Sequence, residues 1–275
     1  YEGLVWRRQA PGSARASEYL QAGIELIGGA DRPAEDAEAF ALIEAALEGA
    51  AATALIGDLS VLFAAIAALE TTEARKAALR RHVWRPKRFQ ELLDRFAAPP
   101  APAAARAALL AADPEARRRA IEAAGGFVGA RAEAEILDRL AALAEDAAAP
   151  PLAAAEKAWI EALSRVKGPA PEALRRLRAL SRPETAAALD ALEARLDALA
   201  AHGADPAGIG FDAAFGRNLE YYDGFVFEFR SPRAGLPPLG GGGRYDALTA
   251  ALAAGRAAPA VGGVVRPEAL MAALA

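Results

Sequence analysis

An α+β fold follows from three features of this sequence: strand-like blocks near both ends, a long helical stretch between them, and a short segment that gathers glycine, tyrosine and charge. In the end blocks apolar and polar residues alternate with a period of two, the mark of a strand with one buried face. From Glu73 to about Leu199 the apolar spacing becomes helical. The distinctive segment runs from Ile209 to Asp246, in a chain otherwise rich in alanine.

Tyr1 to Arg8 reads as the end of a strand carrying Val5 and Trp6, and Gln9 to Ser17, with Pro11 and Gly12, as a loop. Glu18 to Gly28 alternates again. Leu20, Ala22, Ile24 and Leu26 form an apolar face, while Gln21, Gly23 and Glu25 on the other face would floor a polar pocket. Ala34 to Gly49 reads as a helix with core positions Phe40, Ile43 and Leu47. Its first-turn Glu35 and Asp36 suit the positive end of the helix dipole. The apolar run Ala51 to Leu69 nears membrane-spanning length, but Gly57 and Asp58 interrupt it. It reads as a strand over Thr53 to Ile56, a Gly57-Asp58 helix start, and a helix from Ser60 to Leu69.

The later helices are punctuated at Pro99-Pro100, Asp113-Pro114, Gly125-Gly126, Pro150-Pro151, Gly168-Pro169 and Arg182-Pro183. Pro114 and Pro183 stand where first-turn prolines stand. The proline-rich stretch 97–102 is a candidate hinge, which divides the chain into 1–96, a mainly helical 97–205, and 206–275. In the last part Phe225, Phe227 and Phe229 alternate with Val226, Glu228 and Arg230, as in a strand. Gly240 to Gly243 form a run without side chains. Pro259 onward gives a short buried strand and then a helix from Pro267.

Composition removes several function classes. The 275 residues give room for one large domain or two moderate ones, and a net charge of −4 argues against nucleic acid, whose binding leans on basic patches. Zero cysteines exclude thiolate catalysis and cysteine-held zinc, and the two histidines have no metal-ligand spacing. No metal and no cofactor are therefore expected. With no signal peptide visible, the expected setting is cytoplasmic, away from membranes.

What could the distinctive segment bind? Arg217 offers a guanidinium fork for a carboxylate or phosphate. Glu25 and Glu228 offer anions for an ammonium or an N–H donor, and Tyr221, Tyr222 and Tyr245 offer flat rings with a hydroxyl at the rim. Gly240 to Gly243 would let a ligand approach the backbone. A zwitterionic amino acid with a polar ring would satisfy this set. A strand salt bridge, core tyrosines and a tight glycine turn would account for it equally well.

Arg217-Asn-Leu-Glu-Tyr-Tyr-Asp-Gly-Phe-Val-Phe-Glu228 resembles the histidine-specific motif of the histidyl-tRNA synthetase family, and Gly242-Gly-Arg-Tyr-Asp246 resembles the motif that follows it. Val5-Trp-Arg-Arg-Gln9 and Glu18-Tyr-Leu-Gln-Ala-Gly-Ile-Glu25 resemble class II motif 2 and its next strand, and Pro259-Ala-Val-Gly262 the approach to motif 3. The matches keep the family's order across nearly the whole chain. The resemblance implies a class II aminoacyl-tRNA synthetase-like antiparallel sheet with helices plus a largely helical insertion, with motif 1 upstream of Tyr1. It also implies a histidine pocket in which Gln21 and Glu25 serve the amino group and ring, Arg217 meets the carboxylate, and Tyr221, Tyr222 and Tyr245 border the imidazole. Arg7 matches the motif 2 arginine that contacts phosphate.

Two departures redirect the reading. Glutamine stands at Gln9 where motif 2 carries glutamate, and Ala269 stands where motif 3 carries the arginine that packs against ATP. Arg266 lies three residues earlier, on the far side of Pro267. Adenylate chemistry needs placed cations around the phosphates, so catalytic residues are expected to be none. With the sequence ending at Ala275, no anticodon-binding domain is expected. This combination resembles the regulatory subunits of ATP phosphoribosyltransferase. That resemblance implies L-histidine as ligand, a short-form catalytic subunit as partner, and a homodimer within a hetero-oligomer. A histidine–tRNA ligase and an amino-acid-binding module with another partner are the alternatives.

Overall fold

The alternating blocks from both ends of the chain pair into one sheet. In a computed structural model, which describes residues 1–13, 16–126, 129–216, 221–253 and 256–275, these strands are β1 (Glu2–Trp6), β2 (Glu18–Ile27), β3 (Thr53–Asp58), β4 (Lys167–Pro169), β5 (Gly210–Asp212), β6 (Phe225–Arg230), β7 (Gly240–Arg244) and β8 (Ala260–Val265). Their order is β1-β2-β8-β7-β6-β3-β5-β4, and every neighbouring pair is antiparallel except the parallel β3 and β5.

The chain forms two compact units, Tyr1–Ala65 with Trp159–Ala275, and Ile66–Ala158. The first unit holds the sheet with α1 (Arg32–Ala45), and the helix α2 (Leu59–Ala67) begins in it. The second contains α3 (Glu73–His82), α4 (Pro86–Ala97), α5 (Ala104–Ala111), α6 (Pro114–Ala123) and α7 (Glu133–Ala148). After α8 (Ala154–Ser164) come α9 (Ala170–Ala179) and α10 (Pro183–Ala201), both within the segment read as helical from 97 to 205; they belong to the first unit, where α10 packs on α1. The helices α11 (Asp246–Leu252) and α12 (Pro267–Leu274) complete it. Among the described residues, no helix is long and apolar enough to cross a membrane.

Local chemistry explains several boundaries. Asp31 accepts from the Ala34 amide at 3.2 Å and caps α1, so the helix starts at Arg32, ahead of the expected Ala34, and it ends at Ala45. Asp113 does the same for α6 through Ala116 at 2.7 Å. Asp58 belongs to β3, although the sequence reads it as a helix start; its carboxylate still accepts from the Ser60 amide at 3.0 Å. In the second unit Arg75, 3% exposed, donates to the Asp146 and Pro150 carbonyls at 2.7 Å each and so satisfies the open end of α7.

Strand alternation gives the sheet two different faces. One face packs on α1: Phe40 meets Phe227 and Phe229 with ring centroids 5.4 and 4.8 Å apart, and Ile43 lies beside Gly240 and Gly263. Phe40, Phe225 and Phe227 are fully buried, each stabilising the fold by about 1.5–3 kcal/mol. The other face carries the register row Glu25, Gly262, Gly243, Val226 and Gly57. Gly240–Gly243 are therefore neither a turn nor an open loop. They form the strand β7 between β6 and β8, and side chains there would strike the neighbours: a Cβ on Gly242 would lie 2.0 Å from the Gly262 carbonyl oxygen.

Candidate functional site

The glycine row is the floor of a polar site. A Cβ on Gly262 would meet the Glu25 carboxylate, one on Gly23 the Tyr1 hydroxyl at 2.8 Å, and one on Gly243 the Tyr222 ring at 2.9 Å. Only glycine lets these three side chains lie flat on the sheet. Above the floor, Tyr245 donates its hydroxyl to one oxygen of Glu25, and Tyr1 donates to the other at 3.3 Å. Gln21 in turn donates to the Tyr1 hydroxyl at 3.3 Å. Tyr221 stands edge-on to Tyr245 with centroids 5.8 Å apart, and its hydroxyl donates to that of Tyr222 at 3.4 Å.

Five of the sequence-predicted residues, Gln21, Glu25, Tyr221, Tyr222 and Tyr245, thus stand in one cluster. Arg217 lies outside the described residues. Arg7 is exposed beyond the end of β1, where it donates to the Trp6 carbonyl at 3.3 Å rather than joining the cluster. Glu228 is taken up by Arg230 on its own strand at 2.5 Å and is not offered to a ligand. Tyr1 is a member that sequence reasoning missed. Its pairing with the strand Glu18–Ile27 was the one available signal, since β1 leads Tyr1 to Gly23.

The electrostatics favour neutral donors around one carboxylate. Burial, then the bond to Glu25, holds the Tyr245 phenol well above its ordinary range, and burial followed by the Glu25 charge raises that of Tyr1. Both hydroxyls stay protonated near neutrality and leave lone pairs for an N–H donor. Glu25 remains exposed at the water's edge. The site can hold a small ligand bearing N–H groups over a flat aromatic border.

Directly behind it, on the α1 face, lies a buried ion network. Alternation sends Arg244 through the sheet while its neighbour Tyr245 enters the pocket. Arg244 pairs with Asp36 at 2.8 Å, Asp246 at 3.0 Å and Glu35 at 3.1 Å. Arg195 from α10 bridges Asp36 and Asp58 at 2.6 Å each. Glu35 and Asp36 are thus 8% and 0% exposed, partners of arginines rather than a solvated first turn. Burial lifts Asp36 to about 6 against the pull of Arg195 and Arg244. Burial opposes the charge of Arg195, but Asp58 and Asp36 outweigh it and hold the guanidinium firmly cationic.

At the nucleotide end of the expected site, Gln9 donates to the Ala16 carbonyl at 3.2 Å and closes the β1–β2 loop. Ala269 is buried in α12. Arg266 follows Val265, the partner of Ala22, and its guanidinium carbon stands 5.0 Å from the centre of the Tyr19 ring.

The eight-stranded sheet, its glycine floor and the cluster around Glu25 define a class II aminoacyl-tRNA synthetase-like protein. The profile described as Histidyl-tRNA synthetase matches residues 1–153 and 142–270, and the chain belongs to that family. Its curated relatives include the ATP phosphoribosyltransferase regulatory subunit of Mesorhizobium japonicum, 34% identical over 278 residues that cover 95% of this chain and 73% of the relative. The protein of the same name from Sinorhizobium medicae is 36% identical over 282 residues, with the same coverage of 95% and 73%. Among solved structures, an ATP phosphoribosyltransferase regulatory subunit/histidyl-tRNA synthetase from Bacillus halodurans superposes with a TM-score of 0.65 at 24% identity, covering all of this chain and 57% of that one. A histidine–tRNA ligase subunit from Alicyclobacillus acidocaldarius gives a TM-score of 0.53 at 25% identity, with 100% and 68% covered.

Proposed function

We infer that this chain is a non-catalytic regulatory subunit of ATP phosphoribosyltransferase, which takes up L-histidine around Glu25 and Tyr245. It supports a short-form catalytic subunit in the first step of histidine biosynthesis, as a homodimer within a cytoplasmic hetero-oligomer. The observation that carries this reading is the unequal fate of the two halves of the site. The amino-acid half keeps a carboxylate, four phenols and a glycine floor. The nucleotide half has Gln9 engaged with its own loop and a buried alanine at Ala269, where cations and carboxylates would be needed. The name shared by the curated relatives supports the same role.

In this reading the histidine ring lies between Tyr245 and Tyr222, its N–H groups and ammonium meet Glu25, Gln21 and the phenol oxygens, and Arg217 receives the carboxylate. Feedback requires histidine to bind the inhibited assembly better than the active one. A coupling of about 1–3 kcal/mol would shift the equilibrium between the two assemblies some 5- to 150-fold. Mixing the chain with a short-form catalytic subunit should raise phosphoribosyl transfer, and added histidine should lower it. No gain on mixing would overturn the subunit assignment.

A second reading, histidine–tRNA ligase, is favoured by Arg266, a cation that reaches the pocket side of β2 at Tyr19. Histidine-dependent exchange of pyrophosphate into ATP separates the two. The regulatory reading expects none; robust exchange would replace it.

A further inference from the structure

Tyr245 stands at the N-cap of α11, a position that favours serine, threonine, aspartate or asparagine, and it supplies no capping bond. The cap comes from a distant residue. The two carboxylate oxygens of Asp223 accept from the Asp246 amide at 3.2 Å and the Ala247 amide at 2.5 Å. The backbone amide of Asp223 also donates to the Arg244 carbonyl at 3.1 Å. These three bonds straddle Tyr245, and Asp223 directly follows Tyr221 and Tyr222. One half-buried side chain therefore fastens the turn that bears Tyr221 and Tyr222 to the helix start that bears Tyr245.

We propose that Asp223 is a positioning residue: it clamps the Tyr221–Tyr222 turn to the start of α11, so that ligand affinity at Glu25 and Tyr245 depends on a carboxylate that never touches the ligand. The proposal rests on the histidine-pocket reading. Its logic is local. The pocket needs a tyrosine where the helix needs a cap, so the capping function is met from the other tyrosine segment. Without Asp223 two amides at the start of α11 lose their acceptor, the helix start frays, and the Tyr245 hydroxyl leaves Glu25. Burial, countered in part by the Ala247 amide and helped by the nearby Asp246 charge, raises the Asp223 carboxyl above its ordinary range, while Arg244 pulls it back.

The test uses the full chain with Asp223→Ala, Asp223→Asn and a control, Asp113→Ala, which removes the local aspartate cap of α6, a helix of the second unit. Histidine affinity by calorimetry should fall roughly 2- to 30-fold in Asp223→Ala and recover in part in Asp223→Asn, which keeps one acceptor oxygen. Asp113→Ala should leave affinity unchanged although it lowers stability. In hydrogen exchange, the Asp246 and Ala247 amides should exchange faster in Asp223→Ala alone. Parental affinity in Asp223→Ala, equal weakening in Asp113→Ala, or unchanged exchange at those amides would each overturn the clamp. If the parent chain takes up no histidine, the ligand reading falls, and the exchange result still decides the clamp.

Discussion

Asp36 and Glu25 are carboxylates on opposite faces of the same sheet, and their surroundings differ in every respect. Asp36 is fully buried and touches two guanidiniums, at 2.6 and 2.8 Å. Glu25 is exposed and touches two neutral hydroxyls, those of Tyr245 and Tyr1. A sealed carboxylate has its charge answered by the protein and has nothing left for a ligand. An open carboxylate held by neutral donors keeps its charge on offer. Charge alone therefore does not mark a binding residue; the residue that can serve a ligand is the one whose partners leave it a free side. Arg244 and Tyr245, adjacent in sequence, fall on the two sides of this division.

The largest effect that would break the comparison comes from the sealed side. Arg195→Ala leaves Asp36 and Asp58 buried beside too few cations, which should destabilise the chain by about 3–5 kcal/mol in urea unfolding. A loss below about 1 kcal/mol, the range of exposed pairs, would mean that the network is wet.

The next effect depends on pH. Asp36 titrates at about 6 in the folded chain against an ordinary 3.8. Between those values the folded chain holds a proton that the unfolded chain has released. Stability from this group is therefore full below about pH 4 and falls as pH rises through about 6. The shift corresponds to about 3 kcal/mol at most. Asp36→Asn removes this slope, so unfolding titrations should show it gaining on the parent by up to that amount from pH 4 to 7. A constant difference across the window would contradict the sealed description.

Much of this architecture was legible in the sequence. Alternation exposed β2 and β6, and Asp113-Pro114 and Arg182-Pro183 marked the starts of α6 and α10. Gln21 and Glu25 were legible because strand period and motif agreed, and Tyr221, Tyr222 and Tyr245 through the motifs alone. β7 was not, since four glycines carry no side chains from which a period could be read. Nor was the role of Asp36, whose partners Arg195 and Arg244 lie 159 and 208 residues away. First-turn acids look alike whether they face water or a buried guanidinium; tertiary packing alone separates the two.

On the open side the effects are smaller and appear in affinity. Tyr245→Phe deletes one donor to Glu25 and should weaken histidine binding by about 0.5–1.5 kcal/mol, roughly 2- to 12-fold, in calorimetry. Tyr1→Phe should cost less, because its bond is longer at 3.3 Å and more exposed. The reverse order would mean that the ligand enters from the β1 side.

The pocket on the glycine floor is the centre of this account, and Glu25 is its anion. Calorimetric titration of histidine into the full chain and into Glu25→Gln tests it most directly. The account predicts saturable binding to the parent and a loss of about 1.5–3 kcal/mol, roughly 10- to 150-fold, in the variant, with its urea midpoint unchanged. Equal affinity in the two proteins, or a flat titration of the parent, would contradict it.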